Sequence, residues 1–303
     1  MKKLLVLVFA CLFYLESNAQ FGNILGRVTD KVSDRIADKV ADAIANEIIK
    51  KTFKPVDEAA DEALRKSFED SLGTSEVDYN KMGRAYGEFL AGMNGAYAKI
   101  PESYTFDVQN DIEISDGKKI TKTRMMFTKS GEAIGYESID GKESNIVVYD
   151  VKNEVMVMYT TDKKGKKKGQ VLPSMMKFAS SFASNKIDEE MEELKVKKSG
   201  GSKKFAGYNA EGYLVETKST ENQVYISSEF PISYFQAYGK FVEQFAPAAS
   251  NDMNKDLPKG MVMYSEAKDK ESKDMSIYEV KKVNLSPFTI KKSDYTFEGQ
   301  ESK

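Results

Sequence analysis

The chain has 303 residues, with 45 Lys and Arg against 47 Asp and Glu, no histidine, no tryptophan and one cysteine. A net charge of −2 gives no electrostatic drive toward nucleic acid. The missing histidine excludes an imidazole base and a Ser-His-Asp triad, and a lone Cys11 excludes a disulfide scaffold or a paired-thiol zinc site.

Residues 1–19 read as a secretory signal that is cleaved after Ala19. Lys2 and Lys3 precede an apolar run from Leu4 to Leu15, and Ser17-Asn18-Ala19 places small residues at the cleavage site. The run is too short to span a bilayer, and no later segment is apolar for long enough, so the mature chain is expected in the periplasm or medium with no transmembrane span. Cys11 offers a lipoprotein alternative, but the chain would then begin Leu12-Phe13-Tyr14-Leu15 after the lipid.

Residues 20–100 read as an amphipathic helical extension. Val28, Val32, Ile36, Val40, Ile44 and Ile48 recur every fourth position, so their seam drifts slowly around a helix. That seam is a candidate surface for self-association or for an envelope protein partner. Acids at 30, 34, 38 and 42 follow bases at 27, 31, 35 and 39 by three positions, each pair adding about a few tenths of a kcal/mol. A second helix is expected over 55–72, opened by Pro55 and closed by Gly73, and a third from Val77 to Tyr97, ended by Pro101.

After Pro101 the period changes to two. Tyr104, Phe106, Val108, Ile112 and Ile114 alternate with polar residues, which predicts a strand with one buried face. Turn signals at Asp116-Gly117, Ser130-Gly131, Asp140-Gly141 and Lys152-Asn153 divide the next stretch into strands near 118–128, 132–138, 145–151 and 154–161. Short connections make these antiparallel. The lysine-rich 163–168 segment reads as a hairpin tip, solvated or meeting anionic headgroups. Pro173 is expected to open a helix carrying Met175, Met176, Phe178 and Phe182, and Ser199-Gly200-Gly201-Ser202 to break the chain. Strands follow near 203–217 and 222–228. Pro231 opens a helix with Phe235, Tyr238, Val242 and Phe245 on one face, and the last strands lie near 260–268, 275–284 and 288–297. The fold class expected is α+β. An N-terminal helical region precedes a curved, open antiparallel β-barrel over 101–303, with roughly nine to eleven strands and two inserted plug or lid helices.

The segments KKFAGYNAEGYLVET (203–217), VYISSEFPIS (224–233), LPKGMVMY (257–264) and FTIKKSDYTF (288–297) resemble an exported bacterial family of unknown function. Its architecture is similar to the LolA/LolB-type lipoprotein carriers. The resemblance covers about 103–298 and implies an open barrel around plug or lid helices, with an apolar groove able to hold acyl chains. The arginine important in those carriers does not transfer: Arg124 alternates onto the more polar face beside Lys122, which predicts a solvent-facing side chain.

Methionine suits a surface that must fit several shapes, and equally fills irregular cores. The candidate groove and lid residues are therefore Met156, Met158, Met175, Phe178, Phe182, Phe235, Tyr238, Met261 and Met263. The partner expected there is a lipid or other apolar small molecule. No catalytic residue, metal ligand or cofactor motif is found: Asp150, Glu154, Glu216 and Glu229 have no spacing that singles out a carboxylate pair. A binding or structural protein is expected, not an enzyme.

Overall fold

The computed structural model describes residues 95–115, 117, 119–139, 144–174, 195–217, 219–245, 258–271 and 275–297. The expected helices over 27–50 and 55–72, most of the third, and the helix after Pro173 lie outside the described residues. Of the third helix, 95–99 is helical and Ile100 bends away before Pro101.

Fourteen strands follow among the described residues: β1 (Ser103–Phe106), β2 (Val108–Ser115), β3 (Ile120–Phe127), β4 (Ala133–Ser138), β5 (Ser144–Asp150), β6 (Val155–Thr161), β7 (Lys167–Pro173), β8 (Lys195–Phe205), β9 (Tyr208–Glu216), β10 (Thr220–Ser227), β11 (Met261–Asp269), β12 (Met275–Asn284), β13 (Phe288–Lys291) and β14 (Thr296–Phe297). One helix, α1 (Tyr234–Phe245), is inserted between β10 and β11. Twelve strands form one curved, unclosed sheet in the order β14-β7-β6-β5-β4-β3-β2-β12-β11-β10-β9-β8. β1 and β13 pair separately as a two-stranded ribbon.

Several boundaries differ from expectation for local reasons. The 104–114 strand breaks at Asp107, which sends Tyr104 and Phe106 into the ribbon and Val108 onward into the sheet. Pro173 ends β7, opposite Val155, where a missing N–H is tolerated at the end of a ladder. Ser199 to Ser202 does not break the chain, because β8 passes through it as a bulge between Lys198 and Ser202. The 203–217 stretch is instead divided by a two-residue turn at Ala206-Gly207, both at positive φ, as a tight hairpin of this hand requires. The last segment is split by a 3-10 turn, and β14 runs parallel to β7, the one parallel pair among the described strands.

The helix α1 begins after Pro231, as its sequence signals require. Ser233 and Gln236 form a reciprocal cap, with the Gln236 N–H donating to Ser233 Oγ at 3.2 Å and the Ser233 N–H to Gln236 Oε1 at 2.7 Å. The Tyr234 N–H donates to the Gly260 carbonyl at 2.7 Å, which ties the helix start to the entry of β11.

The main core lies between the ribbon and β3–β7. Tyr104, Phe106 and Ile290 pack with Ala96 and Ile100 onto Met126, Ile146, Val148, Val155, Val157 and Tyr159. Phe297 lays its ring where a Gly169 side chain would stand, so β7 must present glycine there. Tyr104 Oη donates to the buried Asp150 at 2.8 Å, and Asp150 also accepts from Asn153 through its backbone N–H and its amide.

Candidate functional site

Cross-strand partners share a face of the sheet, so the register fixes what each face presents. One face carries two adjacent rows. The first is Asn110, Met125, Tyr136, Val147, Met158 and Gln170, and the second is Val108, Phe127, Ile134, Tyr149, Met156 and Leu172. Helix α1 lies over these rows. Its Tyr238 ring meets Phe127 edge-on at 5.2 Å, its Phe241 ring meets Tyr149 at 6.2 Å, and Tyr238 Oη lies 3.5 Å from Met125 Sδ. Tyr234 stacks on Tyr238 at 4.5 Å. Polar ties hold the ends of the helix: Gln244 Nε2 donates to the Val151 carbonyl at 2.5 Å, and Lys240 reaches Glu132 at 3.4 Å.

Of the sequence-predicted residues, Met156, Met158, Tyr238 and Phe235 belong to this helix-and-face layer. Met156 and Tyr238 are buried, whereas Met158 and Phe235 are partly buried. Met261 and Met263 are buried in β11, next to the Gly260 carbonyl that receives the helix start. Met175, Phe178, Phe182 and the seam Val28, Val32, Ile36, Val40, Ile44 and Ile48 lie outside the described residues. Met125, Phe127, Tyr234 and Asn110 are members of the layer that sequence reasoning missed.

Asn110 is the unusual member. It is 0% exposed, and neither its amide nitrogen nor its carbonyl oxygen has a hydrogen-bond partner among the described residues. Leaving a buried polar group unpaired costs about 1–3 kcal/mol, so such groups are scarce in native folds. Asn222 is also 0% exposed. Its amide donates to Thr220 Oγ1 at 3.0 Å, but its Oδ1 has no partner among the described residues. Thr123, buried nearby, is satisfied by donating to the Glu137 carbonyl at 2.8 Å.

The opposite face is charged where the ribbon does not reach. Arg124 donates from Nε to Asp111 at 2.7 Å and from Nη1 to Glu137 at 3.2 Å. It does stand on the polar face, but its side chain is only 33% exposed and is committed to two carboxylates, so the solvent-facing expectation needs correction. The hydrogen bond to Asp111 raises its pKa further, against an opposing effect of burial. A small cleft of about 80 Å³ lies beside it, lined by Gln109, Asp111, Arg124, Lys282 and Asn284. Further along this face, Phe205 stacks on Tyr264 at 5.2 Å and meets Tyr225 at 5.4 Å. Of the four acids considered for catalysis, Asp150 accepts from Tyr104 and Glu229 accepts from Asn209. No group of three or more His, Cys, Asp or Glu among the described residues could hold a metal, and no described helix is long and apolar enough to cross a membrane.

No protein-family model matches the chain, and no curated protein matches it either. Among solved structures it is similar to MucB from Pseudomonas aeruginosa in its complex with MucA, at 9% identity and a TM-score of 0.34, over 67% of this chain and 56% of that one. It is similar to PNGF-II at 13% identity and a TM-score of 0.28, over 65% and 30%. It is also similar to a putative outer membrane lipoprotein-sorting protein domain from Vibrio parahaemolyticus, at 7% and 0.16, over 66% and 93%. The chain thus spans about half the length of MucB and a third of PNGF-II, and these likenesses assign it to no family.

Proposed function

We propose that the protein is an exported, non-catalytic binding protein that holds a lipid or other apolar molecule between α1 and the sheet face it covers. The observation that carries this reading is the composition of that layer. A single 12-residue helix rests on Met125, Phe127 and Tyr149 through aromatic side chains, and the register places Met156 and Met158 on the same sheet face. Methionine and aromatic contacts repack at low cost, and an apolar slot with a few inward polar groups is the usual form of a small-molecule site. Described side chains fill the layer at present, so entry requires α1 to lift. Its polar ties to Glu132, Val151 and Gly260 sit at the ends and edge of the helix, away from the aromatic contacts.

Export rests on residues 1–19, and intact mass of secreted protein starting at Gln20 is the expected result. Binding is tested by native mass spectrometry of the purified protein and by uptake of a fluorescent fatty acid. Copurified lipid or saturable uptake supports the reading. A clean unliganded mass with no uptake removes it and leaves a structural protein of the envelope.

A further inference from the structure

Asn110 stands where the strand alternation demands an apolar residue. Val108, Ile112 and Ile114 occupy the same face of β2 and are buried, and Asn110 lies between them with both polar atoms unpaired among the described residues. Its cross-strand partners are Met125 on β3 and Val283 on β12. Above it, Tyr238 Oη is directed at Met125 Sδ, a weak acceptor. The charged residues of β2 and β3, namely Asp111, Glu113, Lys122 and Arg124, all alternate onto the opposite face, where they pair with one another.

We infer that Asn110 is the polar anchor of the binding layer, and that it selects an apolar chain ending in a neutral group that both donates and accepts a hydrogen bond, such as an alcohol or a primary or secondary amide. The inference rests on the proposed ligand site and specifies its ligand class. A carboxamide offers one acceptor and two donors at one point, which matches a neutral head that both gives and takes a hydrogen bond. A bare hydrocarbon leaves the amide unpaired. An anionic head would need a compensating cation, and no charged residue of β2 or β3 shares this face.

The test uses the full mature chain, delipidated, with N-phenyl-1-naphthylamine as a fluorescent apolar probe and decanol, decane and decanoate as competitors. For the native protein, decanol is expected to compete well and decanoate poorly. In Asn110→Leu, similar in size but apolar, the preference for decanol over decane is expected to fall roughly tenfold, the value of one hydrogen bond to a buried amide. Asn110→Ala serves as the second variant, with the same expected loss of preference. An unchanged decanol-to-decane ratio in both variants overturns the anchor while leaving the site intact. Failure of the probe to bind the native protein removes the site itself. A purely structural Asn110 would also show itself in this way: the probe binds, and the ratio does not move.

Discussion

Along the row Asp111, Arg124, Glu137, Ile146, Tyr159 and Gly169, one face of one sheet changes character completely. The first three residues form a partly exposed ion network, and Ile146 and Tyr159 lie at 4% and 1% exposure under the ribbon and Phe297. Neighbouring strands share their alternation, so propensity does not separate the two regions. The separation comes from what covers them. β1, β13 and the 95–100 segment cover β4–β7 and make that region two-sided core, whereas β2, β12 and β11 keep charged and aromatic side chains on the same face. The covered region supplies rigidity, and the other face of the sheet, under α1, is free to be specialised.

The sharpest test of that division truncates one phenylalanine in each region. Phe106 is 0% exposed and packs against Met126 and Gly135, so Phe106→Ala is expected to cost about 3–5 kcal/mol. Phe205 is only partly buried against Tyr225 and Tyr264, and Phe205→Ala should cost about 1 kcal/mol. Urea midpoints at constant slope measure both, and similar costs would erase the distinction between the regions. Alkaline pH gives the next largest effect. Burial raises the pKa of the Tyr104 and Tyr159 phenols, and the charge of Asp150 adds to it. A raised folded pKa means the stabilisation is complete below the unfolded value near 10 and is lost as pH rises above it. The slope is at most about 1.4 kcal/mol per pH unit for each phenol. Tyr104→Phe should remove one phenol's share between pH 10 and 11. The remaining slope comes from groups such as Tyr149, pushed up to about 12 by burial. A variant with the parental slope would show that Tyr104 does not take part.

Much of this architecture was legible. The alternation in β2 and the turn signals gave most strands within a few residues, and Pro231 announced α1. The unread parts had physical causes. Ala206-Gly207 is a turn with only one customary turn residue, so two strands read as one. Asp107 keeps the alternation of its neighbours, and the jump from ribbon to sheet leaves no mark on a period-two pattern. The parallel β14–β7 pair depends on a long-range approach, Phe297 onto Gly169, that no local rule encodes. The layer between α1 and the sheet was half legible. Methionine and aromatic positions are visible in the sequence, whereas Asn110, a polar residue in an apolar phase, looks like a gap in the pattern.

The smallest expected effect tests the open side of the comparison. Arg124 bridges Asp111 on β2 and Glu137 on β4 from the strand between them. Replacing it with methionine keeps the stem but leaves two carboxylates facing each other across β3. The charge gain of a one-third exposed network is screened, so the cost should be about 1 kcal/mol. Arg124→Lys should recover only part of it, since an ammonium cannot reproduce the two-point contact with Asp111 at 2.7 and 3.3 Å. In 1 M NaCl the Arg124→Met difference should shrink by about half or more, while the Phe106→Ala difference stays constant, because salt screens surface charge and does not weaken packing. Urea midpoints at low and high salt measure both variants together. A salt-insensitive Arg124→Met would mean that this row is as closed to solvent as the ribbon side, and the contrast between the two regions would then be one of residue type alone.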